Sequence, residues 1–176
     1  MLIEASMAFG TGHHGTTQGC LQLLDGLVGA GAEPRAVLDL GCGTAVLSMA
    51  AARIWPDAKV LASDIDAVAV EVAEVNVQAN DLTGRVACLE AEGLSHPQID
   101  AVAPYDLIFA NILKGPLIGL CKGITGALVP GGHVILSGLL NEQQQEIADV
   151  YTRAGNSVIE TLVIGDWSSM IISKSV

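Results

Sequence analysis

The segment from Ala36 to Thr44, AVLDLGCGT, constrains the fold more than any other part of the chain. Four apolar or small residues surround Asp39, which is typical of a short buried strand in a parallel sheet. Gly41 and Gly43 follow at once, and a helix is predicted from Ala45. Glycines in such a turn permit positive φ and let a ligand approach the main chain, while the helix start offers unpaired N–H groups. The segment therefore predicts a ligand site at a strand–turn–helix junction.

The residues that follow this turn narrow the class of ligand. Val46 occupies the position where a dinucleotide fingerprint needs a third glycine, so the nicotinamide interpretation is disfavoured. Asp64 lies 23 residues after Gly41, at the end of an apolar run that predicts a second strand. A carboxylate at that place can accept hydrogen bonds from a ribose diol. The pattern predicts an adenosine-containing ligand without a pyrophosphate, and a purely structural glycine turn is the alternative.

Length and charge limit the possible classes of protein. A chain of 176 residues suits one domain, and we expect residues 1–176 to form it. The net charge is −11, from 19 acidic and 8 basic residues, which disfavours nucleic acid and anionic membranes and favours a basic partner. The four cysteines are scattered without a C-x-x-C pair, which predicts buried free thiols and a reducing compartment. No membrane span or signal peptide is predicted, so we expect a cytoplasmic protein.

Alternating strand and helix patterns predict an α/β fold with a doubly wound, Rossmann-like sheet of seven strands. Five strands alternate with helices and should be parallel. Two last strands, over 158–164 and 168–172, have no helix between them and should form an antiparallel hairpin. Ligands of such sheets bind beyond the carboxyl ends of the parallel strands, where Gly41, Asp64 and Asn111 fall. Three further local predictions are a turn over 130–132, a helix cap at Asn141 and a mostly irregular segment over 90–104.

The chain resembles the class I methyltransferases that use S-adenosylmethionine, and within them the ribosomal protein L11 methyltransferases, called PrmA. The resemblance covers nearly the whole chain. Its blocks are MAFGTG over 7–12 with His14 and TT over 16–17, VLDLGCGT over 37–44, DID over 64–66, ANIL over 110–113 with GPL over 115–117, and LSG over 136–138. The first and fourth blocks are specific to the PrmA family.

The resemblance implies roles for individual residues. Thr17, Gly41, Asp64 and Asn111 would bind S-adenosylmethionine, with Gly41 and Gly43 near its methionine part and Asp64 on its ribose. Thr17 and Asn111 would lie near the reacting end. A lid loop over residues 1–15 would close over the site through Phe9, Gly10, Thr11 and Gly12. The resemblance also implies a substrate-recognition domain ahead of the first block, where this sequence has six residues.

Two residues depart from the family pattern inside the predicted site. Ala45 stands where methyltransferases usually have a third glycine, and an alanine is harmless there only with negative φ. Gly15 replaces a common proline at the entry to the first helix.

The expected reaction is N-methylation of an aliphatic amine, a lysine ε-amine or an α-amine. Methyltransferases that act on planar nitrogen usually carry Asn/Asp-Pro-Pro-aromatic after the fourth strand, whereas Asn111 is followed by Ile112 and Leu113. We expect the Asn111 side-chain carbonyl to orient the amine as the catalytic contact. No metal cluster is predicted, and His14 is more readily interpreted as a loop-packing residue than as a base. Trp167 could be a stacking residue, but an aromatic that covers the sheet edge is favoured.

The preferred function is methyl transfer to amino groups of a ribosomal protein, whose basic character would match the acidic surface. A methyltransferase of another protein or of a small-molecule amine is the first alternative. A cofactor-binding module without catalysis, supported by Ala45, is the second. A nicotinamide oxidoreductase is the least favoured because of Val46.

Overall fold

The computed structural model describes residues 15–176 and contains one mixed sheet. Its seven strands lie in the order β3-β2-β1-β4-β5-β7-β6, with β1 to β5 parallel and β6 and β7 antiparallel. The predicted doubly wound sheet is therefore confirmed. The strands are β1 (Ala36–Leu40), β2 (Lys59–Asp64), β3 (Val86–Glu90), β4 (Tyr105–Asn111), β5 (Leu128–Leu140), β6 (Asn156–Ile164) and β7 (Trp167–Lys174).

Helices cover both faces of the sheet, so the central strands lie between two apolar cores. One core packs α1, α2 and α3 against side chains such as Val37 and Phe109, and the other packs α4, α5 and α6 against Leu38 and Ile108. All five residues of β1 are buried, which explains its continuous apolar run. The helices are α1 (Gly15–Gly29), α2 (Val46–Ile54), α3 (Ala67–Ala79), α4 (Pro97–Val102), α5 (Lys114–Ala127) and α6 (Gln144–Arg153).

Two local predictions are corrected and a third is refined. Residues 130–132 do not form a separate turn, because β5 runs continuously from Leu128 and these residues form an irregularity in its pairing with β4. The segment over 90–104 is mostly irregular as predicted, and it contains the short helix α4, which His96 caps by accepting from Gln98 N–H at 3.2 Å. Asn141 lies in a 3₁₀ turn and ties down the β6–β7 hairpin, donating to Gly165 O at 2.9 Å and accepting from Ser168 Oγ at 2.7 Å.

The antiparallel pair is inserted so that β7 lies between β5 and β6. Helix α1 packs across β5 and β7 because Gly19 has no side chain where it meets Ser169. Strand β7 runs opposite to its neighbour β5, and Trp167 at its start pairs with Leu140 near the end of β5. The amino end of β7 therefore lies at the same edge of the sheet as the carboxyl ends of the parallel strands.

Candidate functional site

A cavity of about 700 Å³ opens at the edge of the sheet where the parallel strands end. This volume suits a nucleoside-sized ligand. Gly41, Gly43, Asp64, Asn111 and Thr17, all predicted from the sequence, line it together. The other lining residues are Thr16, Asp39, Leu40, Cys42, Val46, Leu47, Ile65, Asp66, Ala69, Ala91, Glu92, Gly93, Ile112, Leu113, Pro116, Leu120, Gly138 and Trp167.

The turn after β1 is held by its main chain. Gly41 N–H and Cys42 N–H both donate to Ser63 O on the adjacent strand β2, at 2.8 and 2.9 Å. Gly41 and Gly43 have φ of +70° and +51°. Both conformations favour glycine, as the sequence indicated.

Ala45 does not have the negative φ that would make an alanine harmless at this position. It lies in the left-handed region at φ +59°, directly before α2, and its side chain is fully buried. A left-handed conformation costs an alanine about 1–2 kcal/mol. Packing around the buried methyl group and the first turn of α2 maintains this strained residue.

Asp64, the last residue of β2, is hydrogen-bonded to the glycine turn that follows β1. Its Oδ2 accepts from Gly43 N–H at 3.0 Å, and its Oδ1 accepts from Asp66 N–H at 3.1 Å. These bonds fix the orientation of the carboxylate at the end of β2. Each carboxylate oxygen has a second lone pair, so the group can still accept two hydrogen bonds from a diol.

Asn111 ends β4 and is oriented from α1. Its Nδ2 donates to Thr17 Oγ1 at 3.5 Å, a long hydrogen bond, and Thr17 is fully buried. The first turn of α1 is tied to β5 and β7, since Ser137 Oγ lies 3.2 Å from Thr16 O and 2.7 Å from Ser169 Oγ. With Nδ2 directed at Thr17, the carbonyl oxygen of Asn111 is the group available as an acceptor.

Asp39 is a buried carboxyl in the cavity wall that the sequence pattern indicated only as part of a strand. Its Oδ2 accepts from both Ser48 N–H, at 3.0 Å, and Ser48 Oγ–H, at 2.6 Å. Burial raises the pKa of Asp39 to about 7, and the hydrogen bonds from Ser48 oppose that rise. An acid inside an otherwise apolar strand was the sequence signal for this residue.

Trp167 lies in the cavity wall and does not cover a sheet edge, because β7 is an internal strand. The favoured sequence interpretation is therefore corrected. A Cβ atom on Gly15 would lie 3.1 Å from Trp167 Cδ1, so the ring packs against the first residue of α1. The glycine at this position leaves room for that ring.

The cavity has an acidic lining. Asp39, Asp64, Asp66 and Glu92 contribute carboxyl groups, and none of the described residues that line the cavity is a lysine or arginine. Such a wall favours a ligand with positive charge and disfavours a pyrophosphate. All four cysteines are free thiols; Cys20, Cys42 and Cys121 are buried as predicted, whereas Cys88 is only half-buried. Burial raises the pKa of each of the four thiols.

Phe9, Gly10, Thr11, Gly12 and His14 lie outside the described residues. Over residues 15–176, no cluster of three or more His, Cys, Asp and Glu side chains could hold a metal ion. Within the same range no helix is both long enough and apolar enough to cross a membrane.

The strand order and the glycine-turn cavity define the class of protein as an α/β methyltransferase of class I type. The family model for ribosomal protein L11 methyltransferase (PrmA) matches residues 1–175. The chain therefore belongs to the PrmA family, whose cofactor is S-adenosylmethionine.

Individual relatives agree with this assignment. The ribosomal protein L11 methyltransferase of Rhodopseudomonas palustris (strain BisB5) is 47% identical over 173 residues, which are 98% of this chain and 58% of that protein. That of Chelativorans sp. (strain BNC1) is 47% identical over 172 residues, 98% of this chain and 59% of its own length. The chain thus spans less than two thirds of the curated relatives it matches.

Solved structures show the same fold. The ribosomal protein L11 methylase of Lactobacillus delbrueckii subsp. bulgaricus superposes with a TM-score of 0.79 at 30% identity, covering 94% of this chain and 81% of that one. A methyltransferase from Pyrococcus furiosus superposes with a TM-score of 0.75 at 20% identity, covering 99% of this chain and 89% of that one, and supports the fold alone.

Proposed function

We propose that this chain is the catalytic domain of an S-adenosylmethionine-dependent methyltransferase that acts on amino groups of a ribosomal protein. The observation that carries the proposal is the site around Asp64. A fixed carboxylate ends β2 beside a left-handed glycine turn, in a cavity whose described lining holds four carboxyl groups and no cationic side chain. This arrangement suits the ribose and the positive sulfonium of the cofactor.

The lining supports a specific orientation for the cofactor. Asp64 accepts hydrogen bonds from the ribose hydroxyls, and the turn at Gly41 and Gly43 leaves space for the methionine part. Ile65 and Ala91 provide apolar walls near Asp64 for the adenine ring. Thr17 and Asn111, at the end of β4, then lie near the sulfonium. In this proposal residues 15–176 form one catalytic domain.

The transfer step needs a neutral amine in line with the sulfonium. The amine lone pair forms the new N–C bond as the S–CH₃ bond breaks, the sulfur leaves as a neutral thioether, and the amine releases one proton to solvent. A lysine amine with a pKa near 10.4 is neutral in only about one molecule in 2,500 at pH 7, so transfer requires the amine to lose its proton before it attacks. Asn111 Oδ1 accepts an N–H of that amine and aims its lone pair at the methyl group.

The acceptor is a basic protein, and ribosomal protein L11 is the candidate that the names of the relatives supply. The net charge of −11 would attract such a protein and speed its encounter with this chain. A ribosomal substrate and unpaired cysteines also support a location in the reducing cytoplasm.

The test is methyl transfer from labelled S-adenosylmethionine to unmethylated ribosomal protein L11, read by mass spectrometry of its peptides. We expect methylated lysine or α-amine positions, and a loss of at least about tenfold in kcat, measured at saturating cofactor, for Asn111→Ala. Transfer only to small amines would favour the alternative substrate class. Saturable cofactor binding without transfer to any amine would contradict a catalytic role for the isolated chain.

A further inference from the structure

The main chain that follows β4 passes between two glycines from neighbouring strands. A Cβ on Gly41, at the end of β1, would collide with Cγ2 of Ile112. A Cβ on Gly138, in β5, would collide with the carbonyl oxygen of Ile112 and would lie 2.9 Å from its carbonyl carbon and 3.1 Å from its nitrogen. The first contact is with a side chain, which can rotate, whereas the second is with main-chain atoms, which cannot move without moving their neighbours.

The neighbour that would move is Asn111. The nitrogen of Ile112 belongs to the peptide bond that ends Asn111, and Asn111 pairs with Ser137 in the β4–β5 ladder. Ser137 in turn contacts Thr16 O, in the same turn of α1 that carries Thr17. Residues 137 and 138 therefore locate both the main chain of Asn111 and the helix turn that its side chain contacts.

The conformation of Gly138 agrees with this role. Its φ is +83°, which any other residue adopts with strain. Gly131, in the same strand, has a similar φ of +77°, but a Cβ there would meet nothing within 4 Å. The two positions share the backbone requirement, and only Gly138 adds close contact with main-chain atoms.

We propose that Gly138 is a positioning residue for methyl transfer. Because Gly138 has no side chain, the main chain of Ile112 packs directly against it, and the Asn111 carbonyl oxygen is thereby held facing the acceptor amine. The inference rests on the proposed role of Asn111 in that transfer. A side chain at position 138 collides with the carbonyl group of Ile112 and crowds the Ile112 nitrogen, which belongs to the Asn111–Ile112 peptide. If the resulting shift moves Asn111 by about 1 Å, the rate can fall about 100-fold.

The experiment compares Gly138→Ala with Gly131→Ala, which carries the same left-handed strain without the contact. We expect Gly138→Ala to lower kcat for L11 methylation about 10- to 100-fold while the Kd for S-adenosylmethionine stays within about threefold of the parent value. Gly131→Ala should keep kcat. Equal kcat values for the two variants, or a loss in Gly138→Ala that comes only from weaker cofactor binding, would overturn the inference.

A second readout separates this inference from the proposed function. In protein labelled with ¹⁵N and saturated with S-adenosylhomocysteine, the side-chain amide resonances of Asn111, assigned through their loss in Asn111→Ala, should shift in Gly138→Ala and stay in place in Gly131→Ala. An unmoved amide contradicts the positioning role whether or not the chain methylates L11. Absence of transfer by the parent chain, with the amide shift present, contradicts only the proposed function.

A crystal structure of the parent chain with S-adenosylhomocysteine covers the case in which Gly138→Ala fails to fold, because it needs no substitution. We expect the main chain of Ile112 to pack directly against Gly138 and the Asn111 carbonyl oxygen to face the space beside the sulfur where the acceptor amine would stand. An Asn111 carbonyl oxygen that points away from that space, or an Ile112 main chain separated from Gly138, would overturn the inference.

Discussion

The parallel half of the sheet and its antiparallel end contribute to the molecule in different ways. Strands β1, β2 and β4 are buried between helices. Gly41 directly follows β1, Asp64 and Asn111 end β2 and β4, and the three residues converge on one cavity. Strand β6 forms the outer edge, and most of its side chains are exposed. The antiparallel pair contributes Trp167 to the cavity from the first residue of β7. Most of the polar residues that line the cavity therefore come from the buried, parallel half of the sheet.

Glycines of positive φ in the two halves of the sheet differ in how much space surrounds them. Gly41 has positive φ and would collide with Ile112 if it carried a side chain, whereas Gly165, between β6 and β7, has φ +59° and nothing within 4 Å of a Cβ. Substitutions should therefore have large effects in the parallel half and small ones in the antiparallel half.

The largest effect is expected for Asp64→Ala. The substitution removes two charge-assisted hydrogen bonds to the proposed ribose, each contributing about 1.5–3 kcal/mol, so the Kd for S-adenosylmethionine should rise about 1,000-fold. Asp57→Ala, at an exposed carboxylate away from the cavity, is the matched control and should leave the Kd unchanged. Calorimetric titration measures both. A change below tenfold in Asp64→Ala would show that this carboxylate does not hold the ligand.

The second-largest effect is a pH-dependent change in the free energy of unfolding, and Asp39 is its source. The pKa of its buried carboxyl is raised to about 7 from an ordinary 3.8, so between about pH 4 and 7 the folded protein keeps a proton that the unfolded chain has lost. The contribution of this group to stability therefore falls as pH rises through that window and is constant above it. Asp39→Asn cannot titrate, and we expect it to gain up to about 4 kcal/mol relative to the parent between pH 4 and 8.

Urea unfolding at pH 4.5, 6 and 8 measures this difference. Glu160→Gln, an acid-to-amide change at an exposed position of β6, controls for the substitution itself. A stability difference between Asp39→Asn and the parent that is the same at all three pH values would contradict the pKa assignment.

The third comparison is Gly41→Ala against Gly165→Ala. Strain at positive φ and collision with Ile112 together should lower the free energy of unfolding by about 3 kcal/mol at position 41, against about 1 kcal/mol of strain alone at position 165. Thermal melts in the absence of cofactor report the two values. Similar losses would indicate that the contact with Ile112 relaxes without cost.

The smallest effect is expected from a single polar substitution in each half. Val60 in β2 is buried, and Val60→Thr should cost about 1–2 kcal/mol because its hydroxyl would enter an apolar core. Val163 in β6 is 52% exposed, and Val163→Thr should change stability by less than about 0.5 kcal/mol. If Val163→Thr cost as much as Val60→Thr, the outer strand would be covered by something other than solvent.

Strand direction explains how much of the site could be predicted from the sequence. The carboxyl ends of parallel strands meet at one edge, so the strand and helix pattern alone was enough to group Gly41, Asp64 and Asn111. Trp167 was considered as a stacking residue but assigned to a sheet edge, because it begins an antiparallel strand and strand order cannot be read from local pattern. Gly138 lies inside β5, and its positive φ and its contact with Ile112, neither of which the sequence reveals, explain why a glycine stands there.

Two other differences have local causes. The helix pattern of α2 is visible in the sequence, but the left-handed conformation of Ala45 at its start is imposed by packing and by the turn that precedes it. The segment over 130–132 has the composition of a turn, yet pairing with β4 on both sides keeps it within β5. In both cases contacts with other elements outweigh the local preference of the residues.

The most direct measurement of the central claim is a crystal structure of the chain with S-adenosylhomocysteine. The account predicts the nucleoside in the cavity at the ends of β1 and β2, with both ribose hydroxyls within hydrogen-bonding distance of the Asp64 carboxylate and the sulfur on the side of Asn111. A ligand bound elsewhere, or a ribose turned away from Asp64, would contradict it.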